Sequence, residues 1–367
     1  MKILALALLM PAFAYGQDTR KVTEPVIPPA CVTLEAKIGR AGLSITAENE
    51  DKMDTARIQA AMDHCPAGQA VVLRRSARRE DAFLSGPLQL RRGVTLVLDG
   101  GAYLFASRNP RDYDYPDSPG VCGTITPKGH RCQAFISGQG ASDSGIMGDG
   151  VIDGRGGETM LGRSLSWWNL ADQAREGGSQ NVPRLISLDH CDNFVLYRIT
   201  LRNSPNFHVG YDHGNGFTAW GVKIFTPERA RNTDGIDPGR STNVTITHCF
   251  IHTGDDHVAI KGDAGAPTTN MSIVHNHFYS GHGMSIGSPT EGGVSAIRVS
   301  DLSIDGADDG LRIKSNPTRG GLVHDVVYDD VCIRNTAEPV VMDSSYSAHV
   351  SAASGRLPAF RDITIRN

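Results

Sequence analysis

One pattern recurs along this chain at a nearly constant interval, and that period constrains the fold more than any other feature. Residues 217–224, 244–251, 271–278, 297–304 and 326–333 each read as a strand, a few polar residues and a second short strand, followed by a Gly or Asp turn and a third strand. Their first residues lie 27, 27, 26 and 29 positions apart, and residues 194–201 form an earlier copy 23 positions ahead. A unit that alternates apolar and polar residues over so few positions cannot bury its inner face alone. Units stacked at the spacing of paired strands, about 4.8 Å, bury one continuous apolar core. The expectation is therefore an all-β solenoid.

The ends of such a stack need separate treatment, because its core and strand edges lie open there. Residues 54–64 carry Ala56, Ile58, Ala60, Ala61 and Met62 behind Asp54 as a candidate cap, and predict a short helix closing the N-terminal end. Residues 360–367 read as the opening strand of another unit with no cap beyond it, so the chain is expected to be incomplete at its C-terminus. Asn193, Asn243 and Asn270 each precede the first strand of their unit, either as a hydrogen-bonded ladder or as ordinary turn residues.

Lys2, the apolar run from Ile3 to Met10 and the small residues after it read as a secretory signal peptide over residues 1–17. Residues 18–367 are then expected to form a single solenoid domain, secreted and extracellular. No later window approaches the roughly 20 apolar residues of a membrane helix. A net charge of -4 with interspersed signs offers no broad basic surface to nucleic acid or anionic lipid, so an anionic ligand must be met by a few local cations. The seven cysteines cannot all pair. Cys31 with Cys65, and Cys122 with Cys132, are candidate disulfides, whereas Cys191, Cys249 and Cys332 sit in apolar strand patterns and are expected to be buried thiols.

Counting two residues back from the start of each third strand gives Asp234, Asp256, His282 and Asp309. Stacking places these in one column, with Asp255 beside it. A single surface aspartate is ordinarily a solvated turn residue. A stack of them repels and raises at least one pKa, which a purely structural coil avoids and an acid and base pair requires. Leu311 and Ile313 should face the core, which sends Arg312 and Lys314 outward, and Lys261 takes the matching outward site a unit removed. A basic strip beside an acidic column suits a sugar acid, whose carboxylate needs Arg or Lys while its glycosidic bond needs Asp.

These residues resemble the polygalacturonase family of glycoside hydrolases, family 28. Its four signature stretches occur in order as Asn232-Thr233-Asp234, Gly254-Asp255-Asp256, Gly281-His282-Gly283 and Arg312-Ile313-Lys314. The resemblance implies a right-handed, single-stranded parallel β-helix. It also implies hydrolysis of α-1,4-linked galacturonan in pectin with inversion at the anomeric carbon, and no metal or organic cofactor. Carried over position by position, Asp255 matches the general acid, and Asp234 and Asp256 match the pair that activates water. His282 matches a residue tuning the acid, Asn232 one that positions the site, Arg312 and Lys314 the grip on the substrate carboxylate, and Tyr346 a tyrosine near the cleavage point. The acid should have a raised pKa and the enzyme an acidic optimum.

The partner is then an acidic polysaccharide, bound by a monomer that cuts within the polymer. Residues 107–140 are the loop expected to shape the cleft ends. Trp167 and Trp168 are expected to complete a core in preference to forming a sugar platform. Three alternatives use the same scaffold: a rhamnogalacturonan or xylogalacturonan hydrolase, a pectate lyase whose aspartates hold calcium, and a non-catalytic carbohydrate-binding solenoid.

Overall fold

The structure is a computed structural model that describes residues 17–78, 80–129, 131–346 and 356–367; apart from Gln17, the expected signal peptide lies outside them. Nine strands stack in chain order into one sheet, each parallel to the next. They are β1 (Leu88–Gln89), β2 (Ile136–Gln139), β3 (Ile186–Asp189), β4 (Val209–Asp212), β5 (Ile236–Gly239), β6 (Val258–Ile260), β7 (Met284–Gly287), β8 (Asp309–Lys314) and β9 (Glu338–Asp343). A larger set of eighteen strands closes the other faces of each coil. The result is a right-handed parallel β-helix, the hand that parallel crossovers adopt.

The repeat units are successive rungs. Phe194, Phe217, Val244, Met271, Ile297 and Val326, their first residues, pair in a single buried row that continues to Ile363 in the strand Ile363–Arg366. Stacking like on like lets the Phe194 and Phe217 rings lie parallel, 6.4 Å apart. The predicted helix is α1 (Thr55–His64), which buries Ile58 and Met62 on the N-terminal end of the core. Asp54 stands at its N-cap position, but its carboxylate pairs with Arg57 at 2.5 Å and caps no backbone N–H. Ahead of this cap the chain crosses several rungs from outside. Thr245 Oγ1 donates to Asp18 at 2.7 Å, and Tyr197 Oη donates to Glu24 at 2.7 Å.

The structure corrects several expectations. Asn193, Asn243 and Asn270 adopt left-handed backbone, and each donates to the preceding coil, to Asp143, Asn215 and Thr242 respectively. They form no ladder with one another: Gly216 occupies the row between Asn193 and Asn243, and Asn270, in register with Asn243, donates to Thr242 instead. The loop over residues 107–140 ends early, since Ile136–Gln139 is β2 of the stack. Its remainder is pinned by the Cys122–Cys132 disulfide and by an antiparallel pairing of Ile125–Thr126 with Ser179–Gln180.

Of the two tryptophans only Trp167 joins the core and Trp168 is half-buried, on a short helix that the apolar pattern did not reveal, α2 (Trp167–Gln173), capped by Ser166. Trp167 is buried edge-on against Tyr113, while Trp168 lies over Gly156 and Gly157 and donates from Nε1 to the Ser204 carbonyl at 2.9 Å.

Both expected disulfides are formed, which fits an oxidising compartment. Cys191 and Cys249 are buried thiols, but Cys332 is exposed. It stands in register with Ser303, His277 and Phe250, a row whose period-two phase points away from the core. A thiol reagent added to the native protein should therefore label Cys332 fast, and Cys191 and Cys249 only after denaturation. Labelling of all three at one rate would contradict this packing.

Candidate active site

The site is built on β5 to β8. Ile236, Val258, Met284 and Leu311 pair in one inward row, so Asp234, Asp256, His282 and Asp309, two residues earlier in each coil, form the column read from the sequence. Asp255 precedes Asp256 in the same turn, and its Oδ1 lies 3.2 Å from His282 Nδ1. The polar atoms of Asp255, Asp256 and His282 gather within 4.8 Å of one another. Asn232, in left-handed backbone, donates from its backbone N–H to Asp255 Oδ2 at 3.2 Å and from its side-chain amide at 3.5 Å.

Arg312 and Lys314 leave the core side of β8 as period two demands, but they are not free surface cations. Each is less than a tenth exposed because both close on Asp256: Arg312 Nη2 lies 2.5 Å from Oδ1 and Lys314 Nζ 2.8 Å from Oδ2. The other arm of Arg312 holds Asp309. Lys261 lies two rungs from Lys314, with Gly287 in the register position between them, and bridges Asp234 at 3.5 Å and Asp237 at 3.3 Å. The Tyr346 ring faces Lys314, its centre 5.2 Å from Nζ.

Proton affinities differ sharply across this cluster. Burial, reinforced by the charges of Asp237 and Asp255, holds the Asp234 carboxyl well above the usual carboxylate range. Burial also pushes Asp237 up to about 6, although Lys261 opposes it. The same burial acts on Asp256 but is overridden by Lys314 and Arg312, which hold it ionised well below the usual range.

Asp255 departs from expectation. Burial favours its neutral form, yet the hydrogen bond from His282 and the nearby positive charge win, so its pKa lies below the ordinary value. That same bond raises His282. Asp234 is thus the carboxyl whose proton affinity is raised and Asp256 the one whose affinity is lowered. Carboxyls pushed apart in this way are the components of acid and base catalysis.

Three residues of the site escaped the sequence reading. Ser285 donates to Asp256 Oδ1 at 2.7 Å and accepts from Arg312 Nε at 3.2 Å. It shares the outward register of Arg312, so the same period-two count would have found it. Asp237 lies in the next outward position after Asp234 on β5 and was equally accessible to that count. Gln180 donates to Asn232 Oδ1 at 3.0 Å from a loop pairing, for which the repeat carries no signal. Both oxygens of Asp256 already accept from cations, which leaves this carboxylate poorly suited to calcium and weakens the lyase alternative.

A parallel β-helix that gathers carboxyls of opposed proton affinity beside paired cations on one face has the groups of a carbohydrate-cleaving hydrolase, and likeness to known proteins places the chain in that class. The sequence profile of glycosyl hydrolases family 28 matches residues 91–367, and the chain belongs to that family. It is 44% identical to a polygalacturonase of Ralstonia nicotianae, over 94% of this chain and 72% of that one. It is 43% identical to an endo-polygalacturonase of Pectobacterium carotovorum subsp. carotovorum, over the whole of this chain and 87% of that one. Among solved structures, the polygalacturonase from Erwinia carotovora ssp. carotovora superposes with a TM-score of 0.85 at 39% identity, covering 95% of this chain and 96% of that one.

The buried Asp237 generates a pH test. Its folded pKa of about 6 stands above the ordinary 3.8, so between those values the folded state keeps a proton that the unfolded chain has released. Stability from this residue is therefore lost as pH rises through that window. Asp237→Asn should flatten the fall in urea-unfolding free energy from about pH 4 to 6; identical slopes in parent and variant would refute the assignment.

Proposed function

We propose that this protein is a secreted polygalacturonase that hydrolyses α-1,4-galacturonosidic bonds of pectin at internal positions, with inversion. The observation that carries the reading is the Arg312 and Lys314 clamp set beside the Asp255 and His282 pair. It supplies cations for a sugar carboxylate within reach of proton-transfer groups for its glycosidic bond. Action within the polymer is supported by the endo-polygalacturonase relative, which matches along the whole of this chain.

In this reading Asp255 protonates the leaving oxygen while Asp256, held ionised, takes a proton from the attacking water that Asp234 orients. The low pKa of Asp255 belongs to the empty site. Against the pull of burial, Asp255 is lowered first by its His282 hydrogen bond and then by the His282 and Lys314 charges; a substrate carboxylate bound at the clamp offsets the Lys314 charge and adds a like charge near Asp255, so its pKa rises and it takes up a proton as the complex forms.

Asp255→Asn should lower reducing-sugar release from polygalacturonate by about a hundred- to ten-thousand-fold, the range for loss of a general acid. Undiminished release in the variant, or an unsaturated product from the parent, would overturn the assignment. The pH profile checks the proton uptake separately. The alkaline limb of kcat, which reports the complex, should lie at higher pH than that of kcat/KM, which reports the free enzyme. Coincident limbs would rule that step out.

A further inference from the structure

On the N-terminal side of the catalytic column, β3 to β6 line a cavity of about 670 Å³ whose cations are Arg184, Arg240, Lys261 and Arg319. Three of these are engaged: Arg240 with Asp212, Lys261 with Asp234 and Asp237, and Arg319 with Ser288. Arg184 is different. Among the described residues no carboxylate stands within ion-pair distance of it, and its guanidinium lies over the Phe207 ring, 4.8 Å from the centre. Gly210 makes room for it, since a Cβ there would stand 3.3 Å from Nη1.

Asp237 faces the same space. It is 5% exposed, and apart from Lys261 at 3.3 Å neither of its carboxylate oxygens accepts a hydrogen bond among the described residues. Buried acceptors without donors are costly and uncommon. A guanidinium with no carboxylate at ion-pair distance, and a buried carboxylate whose one partner among the described residues is Lys261, in one cavity, are together complementary to a ligand bearing both a carboxylate and hydroxyls.

We propose that Arg184 and Asp237 form a second sugar-acid subsite, in which Arg184 grips the carboxylate of another galacturonate unit and Asp237 accepts from hydroxyls of the unit between that one and the catalytic column. This rests on the polygalacturonase reading and deepens it. The subsite is continuous with the catalytic column, because Lys261 touches both Asp234 and Asp237. Arg184, just before β3, stands two rungs from Asp237 on β5, roughly 10 Å at the strand spacing, a span for a polymer more than for a single sugar.

Arg184→Met keeps an apolar stem over Phe207 and removes the charge. Its KM for polygalacturonate should rise about tenfold or more while kcat stays within about twofold, and Arg184→Lys should recover part of the loss. A KM on polygalacturonate within about twofold of the parent's, or a fall in kcat with KM unchanged, would overturn the subsite. Should Arg184→Met fail to fold by circular dichroism, Arg184→Lys carries the test through loss of the bidentate grip, with KM expected to rise severalfold and an unchanged KM counting against the proposal. A parent that does not hydrolyse polygalacturonate sinks the functional reading instead. Calorimetric titration of parent and Arg184 variant with polygalacturonate then reads the subsite on its own, equal affinities refuting it.

Discussion

Register between successive coils is the constraint on which the molecule depends. Each coil hydrogen-bonds to the next in parallel, and over β3 to β8 the pairing carries Ile186, Val209, Ile236, Val258, Met284 and Leu311 in one unbroken inward row. A side chain on one rung therefore finds its counterpart on the next at about 4.8 Å, whether the pair is apolar or ionised. Inside, this repetition fills the core with stacked like residues. Outside, it forces acids together that a fold of another kind would keep apart.

That crowding is tolerated because the cations are arranged by the same register. Arg312 and Lys314 reach across to Asp256, and Lys261 spans Asp234 and Asp237, so buried like charges are interleaved with opposite ones. The balance is uneven. Asp256, clamped by two cations, is held well below the usual carboxylate range, whereas Asp234, with one cation shared and three acids nearby, is raised well above it. The division of labour between carboxyls of identical chemistry thus comes from how many positive neighbours each rung supplies. In the proposed reading, a ligand carboxylate that competes for the clamp would alter the field at Asp255 and so link substrate binding to protonation of the acid.

Much of this was legible from residue spacing. The period placed the rungs, the strand phase placed Asp234, Asp256, His282 and Asp309 in a column, and α1 was visible as the one amphipathic run near the start. Other features lay within reach of the same arithmetic but were misjudged, as with Cys332, whose phase in its strand is outward although its neighbours are apolar. Gln180 and the helix α2 sit in excursions between rungs, where residue order carries no period to count, and their positions depend on contacts with distant coils.

What residue order alone determined was the solenoid, the columns on its faces and the types of chemistry stacked there, because a strand's period of two and a coil's period of 23 to 29 residues are properties of the chain itself. What only the tertiary structure decided was the protonation of those columns and the shape of the groove beside them. Burial, and distances of 2.5 to 3.5 Å between side chains from different coils, set which carboxyl is raised in proton affinity and which cation, Arg184, has no carboxylate at ion-pair distance among the described residues. Such quantities depend on where side-chain ends meet in space, and linear spacing does not encode that.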